Sequence, residues 1–132
     1  MSTAKKTNVL KKKKHKEQHP EAKLYLHAGM NNTILSLTDM KGNVILSSSC
    51  GKIGYRNCRK STPLASQTAI TTILSGAYKD IGVRRIHLII RGPGIGRDML
   101  TFLQKDGIEI SSITDDTGIP HNGVRPKKAR RT

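Results

Sequence analysis

From Leu24 onward the chain alternates. In LYLHA, Leu24, Leu26 and Ala28 fall on one side and Tyr25 and His27 on the other, the period-two pattern of a strand with one buried face. GMNN turns the chain, and TILSLTD (33–39) alternates again. MKGN makes a second turn, with Gly42 and Asn43 suited to positive φ, and VILSSS (44–49) forms a third strand. Short turns between three strands predict an antiparallel meander. A loop, CGKIGYRNCRKS (50–61), then leads to Thr62-Pro63, which reads as a helix start: Thr62 as N-cap and Pro63 at the first helical position. Ile70, Ile73, Leu74, Ala77 and Ile81 recur at helical spacing, and Gly82 ends that helix. IHLII (86–90) is a continuous apolar run, as expected of a strand covered on both faces. GPGIG breaks it. A second helix is expected from about Arg97 to Asp106, with Met99, Phe102 and Leu103 inward and Gly107 as its C-terminal cap. IEISSI (108–113) is the last strand. The order βββαβαβ implies a single α/β domain with a mixed sheet and helices packed on it.

Composition adds that the core is aliphatic, since there is no Trp and one Phe in 132 residues. Charge changes the picture more. The net is +15, and it is unevenly spread. Residues 1–23 hold eight Lys against two Glu, residues 24–118 eleven basic against seven acidic groups, and residues 119–132 five basic groups and no acid. We therefore divide the chain into a basic N-terminal arm (1–23), an α/β body (24–116) and a basic tail (117–132). Such like-charge blocks stay disordered alone and act as interaction arms. A polyanion is their natural partner, because each neutralised phosphate releases a condensed counterion.

Other classes fit poorly. Within the arm, the stretch KKTNVLKKKKHKEQHPE (5–21) has only Val9 and Leu10 as large apolar residues, too few for a membrane-surface helix, and no run approaches a transmembrane span. It lacks a signal-peptide core and, having no Arg, does not read as a transit peptide, so the start reads as mature. Cys50 and Cys58 have neither zinc nor disulfide-framework spacing and read as reduced thiols. The acids offer no catalytic pair: Asp115 and Asp116 are adjacent, so on an extended chain they point to opposite sides. No enzyme activity, metal, cofactor or small-molecule substrate is expected.

Three stretches suit RNA. RGPGIGR (91–97) follows a strand and opens a helix. It misses the dinucleotide fingerprint, because Arg97 stands where the third Gly belongs and Gly96 comes one residue early. The plain reading is a tight strand-to-helix turn. The sharper one is a phosphate contact, with backbone N–H groups around Gly94 flanked by Arg91 and Arg97. In KIGYRNCRKS (52–61), Lys52, Arg56, Arg59 and Lys60 surround Tyr55; cations take phosphates and the ring can take an unstacked base. The plain alternative tucks Tyr55 into the core. Asn31 and Asn32 at the first turn can donate to sugar or phosphate, or simply tolerate turn geometry. Asn122-Gly123 would ordinarily signal a hairpin, but no strand follows it, so it reads as a bend between Pro120 and Pro126 that aims the tail. The pair is also prone to isoaspartate formation, because Gly least hinders backbone attack.

Read together, HAGMNNTILSLTDMKGN (27–43), GYRNCRKSTPLASQTA (54–69), RGPGIGRDM (91–99), ITDDTGIPHNG (113–123) and the closing RPKKARR resemble the universal small-subunit ribosomal protein family numbered eleven, in its bacterial and organellar branch. The likeness covers roughly residues 24–131. It implies a mixed five-stranded, ribonuclease H-like α/β domain without catalysis, with both tails in ribosomal RNA. It also implies a place on the small-subunit platform near the messenger exit path, beside the proteins numbered six and eighteen. Arg56, Arg59, Lys60 and Ser61 match the family's RNA-facing loop. Pro120, His121, Asn122, Gly123, Arg125, Pro126, Lys127 and Lys128 match its tail, which Arg130 and Arg131 extend. The run Lys11, Lys12, Lys13 and Lys14 aligns with nothing in the family but is counted among the expected RNA contacts. Four departures stand out: Asn57 for a usual Gly, Gly118 for a usual Pro, Val124 for a usual Cys, and one Pro missing after Arg125. These departures, with frequent Lys, Ile and Asn, favour a mitochondrial ribosome, with plastid or bacterial cytoplasm as alternatives. The expected role is rRNA binding in subunit assembly and translation. The rivals are a free RNA-binding regulator and a nuclease.

Overall fold

The computed structural model describes residues 18–132, without the side chains of residues 99, 100, 102 and 104–106. The expected contacts of Lys11–Lys14 lie outside the described residues. Five strands form one sheet: β1 (Glu21–Ala28), β2 (Thr33–Thr38), β3 (Val44–Ser49), β4 (Arg85–Arg91) and β5 (Glu109–Asp115), in the spatial order β3-β2-β1-β4-β5. β1 runs antiparallel to β2 and β2 to β3, whereas β1–β4 and β4–β5 are parallel. The mixed five-stranded sheet is as expected.

The alternation seen in the sequence sets which face is buried. Leu24 stands between Leu37 and Leu88, and Leu26 between Leu35 and Ile90, so rows of buried aliphatic groups cross the sheet. Burying each such side chain stabilises the fold by about 1.5–3 kcal/mol. After a single helical turn, α1 (Cys50–Ile53), comes the long helix α2 (Pro63–Gly76). It covers this face with Ala65, Ala69, Ile70, Ile73 and Leu74, and a 3-10 helix (Ile95–Asp106) packs beside it through the buried Leu103. Thr62 caps α2: its hydroxyl accepts from the Ala65 N–H at 3.4 Å, with Pro63 next. The helix loosens into a π-helical turn (Ala77–Ile81) and stops at Gly82, whose φ of 74° is left-handed.

Four expectations need correcting. β4 is not covered on both faces: Ile86, Leu88 and Ile90 are buried, but His87 and Ile89 are half-exposed, because both helices lie on the same side of the sheet. The opposite face is open, with Tyr25 38 % and Ile34 45 % exposed. β1 starts at Glu21, inside the stretch assigned to the arm, because parallel pairing with β4 carries Glu21 and Lys23 alongside Arg85 and His87 without any apolar signal of their own. The segment after GPGIG is 3-10 from Ile95, not an α-helix from Arg97. Of the three residues expected inward there, Leu103 is buried; the Met99 and Phe102 side chains lie outside the described set. At the β2–β3 turn, Gly42 alone takes positive φ (101°), while Asn43 donates from its backbone N–H and its amide to the Asp39 carboxylate, both at 2.9 Å.

Candidate nucleic-acid interface

Topology gathers the candidate residues at one end of the sheet. His27 near the end of β1 pairs with Ile34 at the start of β2 and with Arg91 at the end of β4; Ile34 pairs with Ser49 at the end of β3; Ile90 pairs with Asp115 at the end of β5. The Asn31-Asn32 turn, the 50–61 loop, the GPGIG turn and the tail therefore all leave from the same edge. At the opposite edge a cleft of about 730 Å³ mixes acids and bases, among them Asp39, Lys41 and Arg84.

The 50–61 segment is more ordered than the loop expected from sequence. Ser49 caps α1 by accepting from the Lys52 N–H at 3.1 Å, and a 3-10 turn (Asn57–Ser61) follows. Asn57 has φ 54°. That explains the departure from Gly: Asn tolerates the left-handed region better than other residues bearing a Cβ. Arg56 and Arg59 are exposed and Lys60 is half-buried, and among the described residues none of them has a carboxylate partner. Arg56 and Arg59 border a hollow of about 730 Å³ between Ile53 and Arg59. Lys52 folds back to donate to Ser47 O at 2.8 Å, and Ser61 donates to Cys58 O at 2.8 Å. Tyr55 follows the plain reading: half-buried, packed on the core, with its hydroxyl 3.4 Å from Thr68 Oγ1. Cys50 is buried and Cys58 exposed, both free.

The GPGIG turn also follows its plain reading. A Cβ at Gly92 would stand 2.3 Å from Ala28 O, one at Gly94 2.2 Å from Gly29 O, and one at Gly96 2.5 Å from Thr33 Oγ1. These glycines let the turn lie directly on the backbone between β1 and β2. Two of its donors are spent internally: the Gly94 N–H donates to Ala28 O at 2.8 Å and the Gly92 N–H to the Thr117 hydroxyl at 3.2 Å. The flanking cations are occupied too, Arg91 by Asp116 at 2.7 Å and Arg97 by Asp115. Sequence reasoning counted these arginines as phosphate contacts and missed their partners, although the opposite-pointing adjacent acids were the available signal. Asn32 likewise serves its own turn, accepting from the Thr33 N–H at 2.9 Å, while Asn31 is exposed.

Beyond Thr117 every residue is exposed and no regular element forms. His121, Arg125, Lys127, Lys128, Arg130 and Arg131 stand on this tail with no acid among them. The bend at Asn122-Gly123 is present without a hairpin, and its left-handed residue is Asn122 (φ 55°), not Gly123. Gly123 is small for another reason: its Cβ would lie 3.0 Å from the Pro120 ring.

Among the described residues no group of three or more His, Cys, Asp or Glu is placed to hold a metal ion, and no helix is long and apolar enough to cross a membrane. The features define a basic α/β protein in which Arg56, Arg59, Lys60 and the tail's cations, without an acid partner among the described residues, cluster at one end of the sheet, suited to a polyanion, while Lys23, Lys41, Lys79 and Arg84 stand elsewhere. A family profile described as Ribosomal protein S11 matches residues 22–131. Two proteins from Treponema pallidum, one from the Nichols strain and one from a second strain, are both named small ribosomal subunit protein uS11. Each is 42 % identical over 124 residues, covering 93 % of this chain and 98 % of its own. The chain belongs to the ribosomal protein S11 family.

Proposed function

We propose that this protein is a non-enzymatic structural constituent of the small ribosomal subunit, and that it binds the subunit's ribosomal RNA with the 56–60 loop and the basic tail. The observation that carries this reading is the concentration at one end of the sheet of cations without an acid partner among the described residues, Arg56, Arg59, Lys60 and the five of the tail, whereas the cations of the β4 turn are neutralised by acids. Family membership supports the small-subunit assignment. The resemblance extends it to the platform near the messenger exit path, with the proteins numbered six and eighteen as neighbours. The relatives above are bacterial, which favours a bacterial-type ribosome in the cytoplasm; the mitochondrial lean finds no support among them.

Gradient sedimentation of the tagged full chain tests the reading. Co-migration with small subunits is expected. Recovery only at the top of the gradient would instead fit a free RNA-binding regulator. Replacing Arg56, Arg59 and Lys60 together by Ala is expected to weaken RNA binding and to flatten its salt dependence by up to about three counterions' worth of slope. An unchanged slope would place that loop in solvent.

A further inference from the structure

Where the basic tail leaves the body, two acids sit in the path of a polyanion. Extended chain sends successive side chains to opposite sides, and here each acid finds a different arginine. Asp115, the last residue of β5, pairs with Arg97 at the start of the 3-10 helix. Asp116 accepts from Arg91 Nη2 at 2.7 Å, and the same guanidinium donates from Nε to Asp116 O at 3.2 Å. The Asp116 N–H donates to Ile90 O at 2.8 Å. Thr117 closes the set: its N–H and hydroxyl donate to Asp115 Oδ1 at 3.1 and 2.6 Å, and its hydroxyl oxygen accepts from the Gly92 N–H at 3.2 Å. Three consecutive residues are thus tied to β4, to the GPGIG turn and to the 3-10 helix. Among the described residues, the chain immediately after them makes no further contact of this kind and is exposed.

Stability is a poor reason for this arrangement. The side chains of both ion pairs are 40–59 % exposed, and pairs so exposed contribute little. Affinity for phosphate, taken as charge alone, is a reason against it, since the two acids silence two arginines and repel the backbone of a nucleic acid. Direction accounts for both. An arm rooted at a fixed point and angle has less freedom to lose on binding and a higher effective concentration at its target.

We propose that Asp115, Asp116 and Thr117 form a clamp that sets the direction in which the basic tail leaves the body, so that these two acids strengthen RNA binding. The proposal rests on the RNA-binding reading of the tail, and its distinctive content is a sign. Charge alone predicts that Asp115→Asn with Asp116→Asn tightens binding, by removing two negative charges and releasing Arg91 and Arg97. The clamp predicts the reverse.

The test is filter binding of the full chain to bacterial small-subunit ribosomal RNA across a salt series, with a thermal melt of each variant. The Asp115→Asn, Asp116→Asn variant is expected to bind about tenfold more weakly at fixed salt, the equivalent of freeing about one residue's backbone at the root of the arm. The exchange Arg97→Asp, Asp115→Arg keeps the net charge and restores that ion pair but leaves the Thr117 N–H and hydroxyl without their carboxylate acceptor, and is expected to bind more tightly than the Asn variant and more weakly than the natural chain. Thr117→Val alters no charge and is expected to weaken binding about threefold; it decides the matter if the double Asn variant does not fold. Equal or tighter binding by the Asn variant, or by Thr117→Val when the Asn variant is unfolded, overturns the clamp. So does binding by the charge exchange that is no tighter than that of the Asn variant, which would make these residues RNA contacts in their own right. If the natural chain itself shows no salt-dependent binding, it is the RNA reading that falls.

Discussion

Gly94→Ala separates the two readings of the GPGIG turn. The added methyl carbon would sit 2.2 Å from Gly29 O and 2.7 Å from Ala28 O, where ordinary contacts lie at 3.4–4 Å. Both neighbours are backbone oxygens, so no side-chain rotation relieves the clash, and the turn must lift by about an ångström. It would also strain the Gly94 N–H bond to Ala28 O. Overpacking of this kind costs about 1–3 kcal/mol. Gly92→Ala carries the same kind of clash, 2.3 Å from Ala28 O, and adds a left-handed backbone (φ 98°), which costs a residue with a Cβ about 1–2 kcal/mol more. Gly107→Ala is the control: its φ is 73° but nothing lies within 4 Å, so only the conformational cost of about 1–2 kcal/mol applies. Thermal melts followed by circular dichroism read the series, at roughly 3–5 °C per kcal/mol for a chain of this size. Gly92→Ala should melt lowest, and Gly94→Ala well below the natural protein. If Gly94→Ala melts with the natural protein yet loses RNA affinity, the turn is a phosphate cradle and the packing argument is wrong.

Three further outcomes follow from the geometry. Asn57→Ala should lower stability by about 1 kcal/mol through its left-handed φ, and Asn57→Gly should not, as a urea titration of each will show. The buried hydroxyls of Thr33 and Ser66 lie 2.9 Å apart; Thr33→Val alone strands its partner and should cost about 1–3 kcal/mol, whereas Thr33→Val with Ser66→Ala should cost less than the sum of the single changes in a double-mutant cycle. The Thr117 hydroxyl first, and then Arg97, hold the Asp115 carboxyl below the 3.8 of a free aspartate. The folded pKa is thus the depressed one, so the stabilisation is complete above the unfolded value and is lost as pH falls through the folded one. An NMR titration of Asp115 should show a midpoint below 3.8 that rises in Thr117→Val.

Strand alternation, the Thr62-Pro63 start and the stop at Gly82 were legible because each is a local rule written in adjacent residues. The one-sidedness of the sheet was not. IHLII looks doubly buried in isolation, and only the placement of both helices on one face leaves His87 and Ile89 half-exposed. The basic loop and tail were legible as charge. What composition concealed was which cations are already engaged. Arg56 and Arg91 look alike in a sequence, and Arg91 is spent on Asp116, 25 residues further on, through a strand pairing that no local pattern announces. Tyr55 was ambiguous for the same reason: its packing on α2 is set by the path of the whole 50–61 segment.

The central position of β1 has a consequence during synthesis. Its partner β2 follows within a few residues, but its other edge stays bare until β4 has been made, about 60 residues later. At about 5–20 residues per second that interval lasts roughly 3–12 s. Through it, a strand bearing Leu24, Leu26 and Ala28 exposes a row of unsatisfied backbone groups to neighbouring nascent chains. The residues that emerge just before it are the lysines of the N-terminal arm, and a block of like charge beside a sticky strand keeps two copies apart. The same cations that suit the arm to a polyanion in the finished protein thus guard the unfinished one against its own kind.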